Sequence, residues 1–200
     1  ARARRVVAVV GTGRLGAVAV DVLTASGIGT LLLVDPREVR PSDVGVGGLR
    51  EHHVGRRWDD ALRDVVVLAR RRTQVGDGEH DSPDVVVLVV EEGVGVLRTA
   101  RLVAEGVPHL VVTVTAWGAV VGPFVLPGQT ACVRCVELQV ESLGDLADDD
   151  ALHPAGLGAS AALGATPGGR LPQSSAVAAT AGALVAAEVV AYLDGRRPAT

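Results

Sequence analysis

No lysine, asparagine or methionine occurs in this 200-residue chain, and Ile28 is its single isoleucine. All 19 basic residues are arginine. The skew matches codon bias in a GC-rich genome, so an absent residue type carries little chemical meaning. The missing lysine matters in one respect. A step that needs a cation on a phosphate must use arginine, whose reach and geometry differ. Because the sequence does not begin with Met, it is expected to be processed or excised from a longer protein. Aromatic residues make up 2% of the chain and hydrophobic residues 48%, so the core must be built from Val, Leu and Ala.

Cysteine is also scarce: Cys132 and Cys135 are the two in the chain. That excludes a disulfide framework and makes a reducing cytoplasm the expected setting. The net charge of −4 gives no reason to expect nucleic acid. Arg2, Arg4 and Arg5 read as a solvated strand flank. No signal peptide is visible. Leu110–Thr130 is uncharged, but Gly118, Gly122, Pro123, Pro127 and Gly128 interrupt it. A membrane-spanning helix does not tolerate so many breaks, and a buried strand followed by a β-turn segment fits better.

What the chain has is a strand, a glycine turn, a helix and a second strand ending in a carboxylate. Val6–Val10 leads into Gly11-Thr12-Gly13-Arg14-Leu15-Gly16, and Leu31–Val34 leads into Asp35, nineteen residues after Gly16. Gly11 permits the tight turn, Gly13 allows close approach to a phosphate, and Gly16 lets the helix pack on the strand. The helix N-terminus offers free N–H groups to an anion. Asp35 falls where a ribose hydroxyl is held. The same string fits a dinucleotide site, an ATP site, or a βα turn that keeps no ligand.

Periodicity extends the pattern. Strands are predicted at Arg5–Val10, Thr30–Val34, Thr73–Val75, Val85–Val90 and Pro108–Thr115, and helices at Gly13–Ala25, Trp58–Arg70 and Val94–Glu105. Trp58, Ala61, Leu62, Val65 and Leu68 share a helix face. Pro36–Gly55 reads as a long loop with one helical turn, and Gly76–Pro83 as a polar turn. Ala119–Leu126 reads as one or two antiparallel strands. Residues 144–172 are low in complexity and read as a mobile loop. A last helix, Ala176–Leu193, takes Ser174 or Ser175 as its cap. The expectation is an α/β fold: a doubly wound, mostly parallel, Rossmann-like sheet with an added antiparallel segment and a C-terminal apolar helix. Residues 1–200 read as one domain.

The order of features resembles the ThiF/E1-like superfamily of ubiquitin-like modifier activating enzymes, including degenerate members associated with ribosomal-peptide modification. The resemblance rests on Gly11–Gly16, on Gly27-Ile28-Gly29 leading to Asp35, on Val39-x-x-Ser42, and on Val54-Gly55 before a helix. It continues through Gly106-Val107-Pro108, Gly122-Pro123 with Pro127-Gly128, the Cys132–Cys135 pair, Ala183–Glu188 and Tyr192–Gly195.

The resemblance implies ATP with magnesium, and attack of a peptide or carrier-protein C-terminal carboxylate on the α-phosphate. It also implies a homodimer. It places Gly11, Gly13, Gly16 and Asp35 at the nucleotide. Several family positions differ here. The second acidic residue after Asp35 is Arg37, the loop Asn is Asp43, and the Arg-Gln pair falls at Val46-Gly47, with Arg50 out of register. Arg56 and Arg57 are the candidate catalytic cations in place of the family lysine. The magnesium-binding Asp maps onto Glu91 or Glu92. Cys132 and Cys135 have the spacing of half a zinc site; His153 is a candidate third ligand, and plain thiols or a redox pair fit the same spacing. No cysteine is placed for a thioester. His52-His53 read as a solvated pair, Asp148–Asp150 as a solvated patch, and Trp117 as core.

Three readings stay open: an adenylating domain with activity kept, weakened or lost; a scaffold presenting a peptide to a partner modifying enzyme; and an NAD(P)-dependent oxidoreductase. The third expects a catalytic Lys, Tyr or His, and there is no Lys.

Overall fold

The structure is a computed structural model that describes residues 2–11, 13–69, 72–77, 82–91, 95–115, 118–144 and 174–199. Thr12, Glu92, Trp117, Asp148, Asp149, Asp150 and His153 lie outside the described residues, as do part of the Gly76–Pro83 turn and all but Gly144 of the 144–172 loop.

In chain order the elements are β1 (Val6–Val10), α1 (Gly13–Ala25), β2 (Thr30–Val34), α2 (Trp58–Leu68), β3 (Gln74–Val75), β4 (Val85–Glu91), α3 (Gly95–Ala104), β5 (His109–Val114), β6 (Ala119–Val125), α4 (Val133–Gly144) and α5 (Ser175–Leu193). The strands form one six-stranded sheet in the order β3-β2-β1-β4-β5-β6. β1 to β5 run parallel, and β6 is antiparallel to β5. The expected fold class, with its antiparallel addition and its C-terminal helix, is what the structure shows.

The uninterrupted valine runs form strands because both faces of the sheet are covered. Along β4, Val85, Val87 and Val89 face one core with Val7, Val9 and residues of α1, α2 and α5. Val86, Leu88 and Val90 face a second, thinner core with Ala8, Leu32 and Val111, against which Leu102 and Val133 pack. The α1 core is built from side chains of modest size, so its helices approach closely. A Cβ on Gly182 of α5 would lie 2.7 Å from the Leu15 carbonyl oxygen and from Val18 Cβ. α5 is long and apolar enough to cross a membrane, yet Ala178, Ala181, Gly182, Val185, Ala186 and Val189 are buried against the rest of the chain. One face of the helix packs into the core, and the other, with Leu184, is exposed. Ser174 caps it by accepting a hydrogen bond from Val177 N at 3.1 Å.

Three sequence expectations need correction. The Pro36–Gly55 loop contains three 3-10 turns, Pro41–Asp43, Val46–Gly48 and Glu51–His53. α2 stops at Leu68, whose side chain is exposed; Val66 is buried on the core face instead. α4 was not expected as a helix at all. The uncharged run at Leu110–Thr130 is β5, β6 and the turn after them, apart from residues 116–117, which are not described.

Candidate functional site

A doubly wound sheet opens a crevice at the carboxyl ends of its strands where the chain order reverses. Here that point lies between β1 and β4. Gly11 follows β1 directly. Its φ is +73°, and an added Cβ would sit 2.2 Å from the Val89 carbonyl oxygen. Only glycine satisfies both the left-handed backbone and the lack of space. Gly11 N donates to Val34 O at 3.0 Å, which ties the turn to the end of β2. Gly13, at φ +56°, opens α1, and Gly16 is buried within it. The turn, the α1 N-terminus and the end of β2 thus lie together at one edge of the sheet. Glu91 closes β4 on the same edge.

Asp35 follows β2 and is 2% exposed. Its carboxylate is not open. Arg37 donates from Nε to Oδ1 at 2.8 Å and from Nη2 to Oδ2 at 2.7 Å, and its backbone N donates to Oδ1 at 3.1 Å. The Asp35 and Arg37 carbonyls accept hydrogen bonds from Asp59 N and Trp58 N, so the start of α2 is bound to this segment. Arg57 precedes α2 and bridges to Glu38 through the backbone. Its guanidinium grips Asp59 through both carboxylate oxygens, which raises the arginine's affinity for its proton and holds the Asp59 carboxyl below its usual range. The end of β2 therefore gathers Asp35, Arg37, Arg57 and Asp59 into a mixed-charge cluster. Arg56 turns elsewhere and pairs with Asp64 of α2 at 2.6 Å.

Val46-Gly47, where the resemblance places a phosphate-contacting arginine, is a 3-10 turn pressed onto α1. A Cβ on Gly47 would lie 2.6 Å from the Ala17 carbonyl carbon. The turn is spent on packing. One residue that the sequence reading did not single out sits in the glycine run itself. Arg14 reaches Ser175 Oγ at 3.2 Å and Val44 O at 3.1 Å, joining the starts of α1 and α5 and the 36–55 loop beside the cradle. Its signal was present: it is a cation on the first turn of a helix that opens from a glycine turn.

His52 and His53 are not a solvated pair. His52 is exposed, but His53 is buried and its Nδ1 accepts from Arg50 N at 3.0 Å. Burial pushes its pKa down, helped by the neighbouring His52 and Arg56. Cys132 and Cys135 lie at the start of α4, on the opposite face of the sheet from α1, with their Sγ atoms 3.3 Å apart. Neither belongs to the edge that carries Gly11 and Asp35. The Cys132 thiol is held below its ordinary range by the Cys135 N–H and thiol.

No protein-family model matches this sequence, and no curated protein matches it. Solved structures do share its fold. A crystal structure of E. coli MccB superposes with a TM-score of 0.75 at 19% identity, over 99% of this chain and 57% of MccB. The chain shares the fold of MccB. A second structure, of the microcin C7 biosynthetic enzyme MccB in complex with N-formylated MccA, gives a TM-score of 0.74 at 18% identity, over 99% and 60%. PaaA gives 0.69 at 18% identity, over 99% and 67%. The chain thus spans less than two thirds of the MccB structures it matches. MccB has also been solved with ATP, and with AMPCPP and MccA together.

Proposed function

We propose that this chain is a nucleotide-binding domain of ThiF/E1 type that handles a peptide or small carrier protein by its C-terminal carboxylate. ATP-dependent adenylation is its ancestral chemistry, weakened here. In that reaction a carboxylate oxygen of the peptide attacks the α-phosphorus of ATP, the bond to the β-phosphate oxygen breaks, and pyrophosphate leaves. One observation carries the reading: the cradle at Gly11 is kept to within atomic contact, while the charges beside it are neutralised by one another. The ligands of the MccB structures, ATP and MccA, support the choice of substrates.

In this reading the α1 N-terminus approaches the phosphates, and Asp35 accepts the ribose hydroxyls. Arg57 and Arg14 supply positive charge near the phosphates, with Arg56 further off. Magnesium, when bound with ATP, would neutralise phosphate charge, and we assign it to Glu91, the last residue of β4. Among the described residues no three His, Cys, Asp or Glu side chains gather to hold a metal. Cys132 and Cys135 would supply two of the four ligands of a zinc site. The domain is taken as one unit, cytoplasmic, and as one half of a homodimer.

The Arg37–Asp35 pair favours a second reading, a scaffold that presents a peptide to a partner modifying enzyme. The oxidoreductase reading has less support. Tyr192 packs on Phe124 with ring centroids 5.1 Å apart in the α5–β6 interface, away from the nucleotide edge. Pyrophosphate–ATP exchange with a peptide substrate, alongside ATP and NADH titrations, tests all three. Slow exchange with measurable ATP binding is the expected result. Peptide binding with no exchange selects the scaffold, and NADH binding without ATP binding overturns both.

A further inference from the structure

His53 closes the Glu51–His53 turn and is 1% exposed. Its Nδ1 accepts a hydrogen bond from Arg50 N at 3.0 Å, so the neutral ring carries its proton on Nε2. Nε2 is buried and has no hydrogen-bond partner among the described residues. A second proton would go on Nδ1, where it meets the Arg50 N–H. Two donors would then face each other, and a charged ring would stand buried without an acceptor. The groups around the ring do not offset this. His52, whose ring lies 4.0 Å away, Arg56 and Arg50 all oppose further positive charge. Asp64 of α2 favours it, but Asp64 is already paired with Arg56 at 2.6 Å. The turn is also wired to the end of β2. Arg56 N donates to His53 O at 3.0 Å, Val39 O accepts from Gly55 N at 2.8 Å, and Val39 N donates to Arg56 O at 2.9 Å. Two residues before Val39, Arg37 O accepts from Trp58 N at 2.9 Å. The middle of the loop is anchored separately, by the fully buried Leu49 and by Gly47 pressed on Ala17.

The geometry points to His53 as a proton-operated latch: neutral, it holds residues 50–57 against Val39, and protonated, its ring turns out to water and frees that segment. One proton is taken up on Nδ1 and one hydrogen bond, from Arg50 N, is lost. The sign follows from burial. The freed ring takes its proton at about pH 6.5, the ordinary histidine value, and the latched ring only at lower pH. The latch is therefore closed above about pH 6.5. Below it the open fraction rises by up to about tenfold per pH unit, until the latched ring itself titrates. Leu49 and Gly47 keep the rest of the loop on α1, so the release is local. The latch uses no ligand and does not depend on the adenylation reading.

The test is amide hydrogen exchange between about pH 5 and 8, corrected for the intrinsic rate. The Arg50 and Gly55 amides should exchange faster than those of Val9 and Val87, which lie in central strands, and this difference marks local opening. Their protection should fall by up to about tenfold per pH unit below about 6.5. In His53→Asn, whose side-chain oxygen takes the place of Nδ1 and does not titrate, Arg50 protection should stay level across the range. Protection equal to that of the sheet at every pH, no dependence on pH, or the same dependence in His53→Asn overturns the proposal. Ring 15N shifts of the unsubstituted chain give a reading that needs no variant. The Nε2–H tautomer at pH 8 is expected, and the Nδ1–H tautomer overturns the latch.

Discussion

Arg37 closes on Asp35 with a two-pronged pair, Nε to Oδ1 at 2.8 Å and Nη2 to Oδ2 at 2.7 Å, over a carboxylate that is otherwise shut off from solvent. The arginine stands where the ThiF/E1 resemblance implies a second acid. Two acids at the end of β2 would draw donors and cations to the ribose. One acid with its own arginine satisfies itself. Each carboxylate oxygen offers two acceptor sites, so a ribose hydroxyl can still share Asp35, but only by sharing with or displacing the guanidinium.

Arg37→Ala should therefore tighten ATP binding rather than weaken it. A half-exposed ion pair contributes about 1 kcal/mol at most, which sets the gain at up to about fivefold. Calorimetric titration at low salt reads the change. Weaker ATP binding in this variant would show that Arg37 helps to hold the nucleotide and does not compete for Asp35.

Asp35→Ala should weaken ATP binding by about 1–3 kcal/mol, the penalty for leaving a ribose donor without its acceptor, or roughly five- to 150-fold. Combined with Arg37→Ala, the effects should be non-additive, because the two side chains touch. An unchanged affinity in the single variant would remove Asp35 from the site.

Much of this was legible in the sequence. Continuous valine runs mark strands buried on both faces, and the structure places α1 and β2 at the predicted boundaries. α4 was not legible because Val136-Glu137-Leu138-Gln139-Val140-Glu141 alternates with a period of two, as a strand does. The helix it forms leaves Leu138 exposed. The burial of His53 was hidden for a different reason: in an aperiodic loop no spacing tells which of two adjacent side chains turns inward. The site's self-neutralisation rests on Asp35–Arg37 and Arg57–Asp59. Both are residues two apart, a spacing that brings side chains to one side only where the backbone is extended or capping a helix.

Gly11→Ala should cost about 2–4 kcal/mol of stability. The new Cβ meets the Val89 carbonyl at 2.2 Å, and alanine is strained at φ +73°. Urea unfolding measures this. Where the folded fraction can be titrated, ATP binding should be lost as well, since β1 and β4 must part at the cradle. A variant as stable as the parent would mean that the turn relaxes without glycine.

Arg57→Ala should weaken ATP binding several-fold at low ionic strength and less at high salt, because its charge acts from an exposed position. Arg56→Ala should have the smaller effect, since its guanidinium pairs with Asp64 along α2 and stands apart from the Asp35 cluster that Arg57 joins. Equal effects of the two, measured across a salt series, would place Arg56 at the phosphates after all.

His109 sets an acid limit on the fold. It is fully buried at the start of β5, with Nδ1 donating to Val107 O at 2.8 Å and Nε2 left without a partner. Burial pushes its pKa below the ordinary histidine value, and the Val107 bond only partly opposes this. The unfolded chain therefore takes up a proton first as the pH falls. Stability is complete above about pH 6.5, the unfolded value, and is lost progressively as the pH drops toward the folded one. His53, also buried and shifted in the same direction, adds to the slope. Urea midpoints across about pH 5 to 8 should decline on the acid side, and His109→Phe should flatten that decline even though it lowers stability at neutral pH. An unaltered acid slope would assign the loss to groups other than His109.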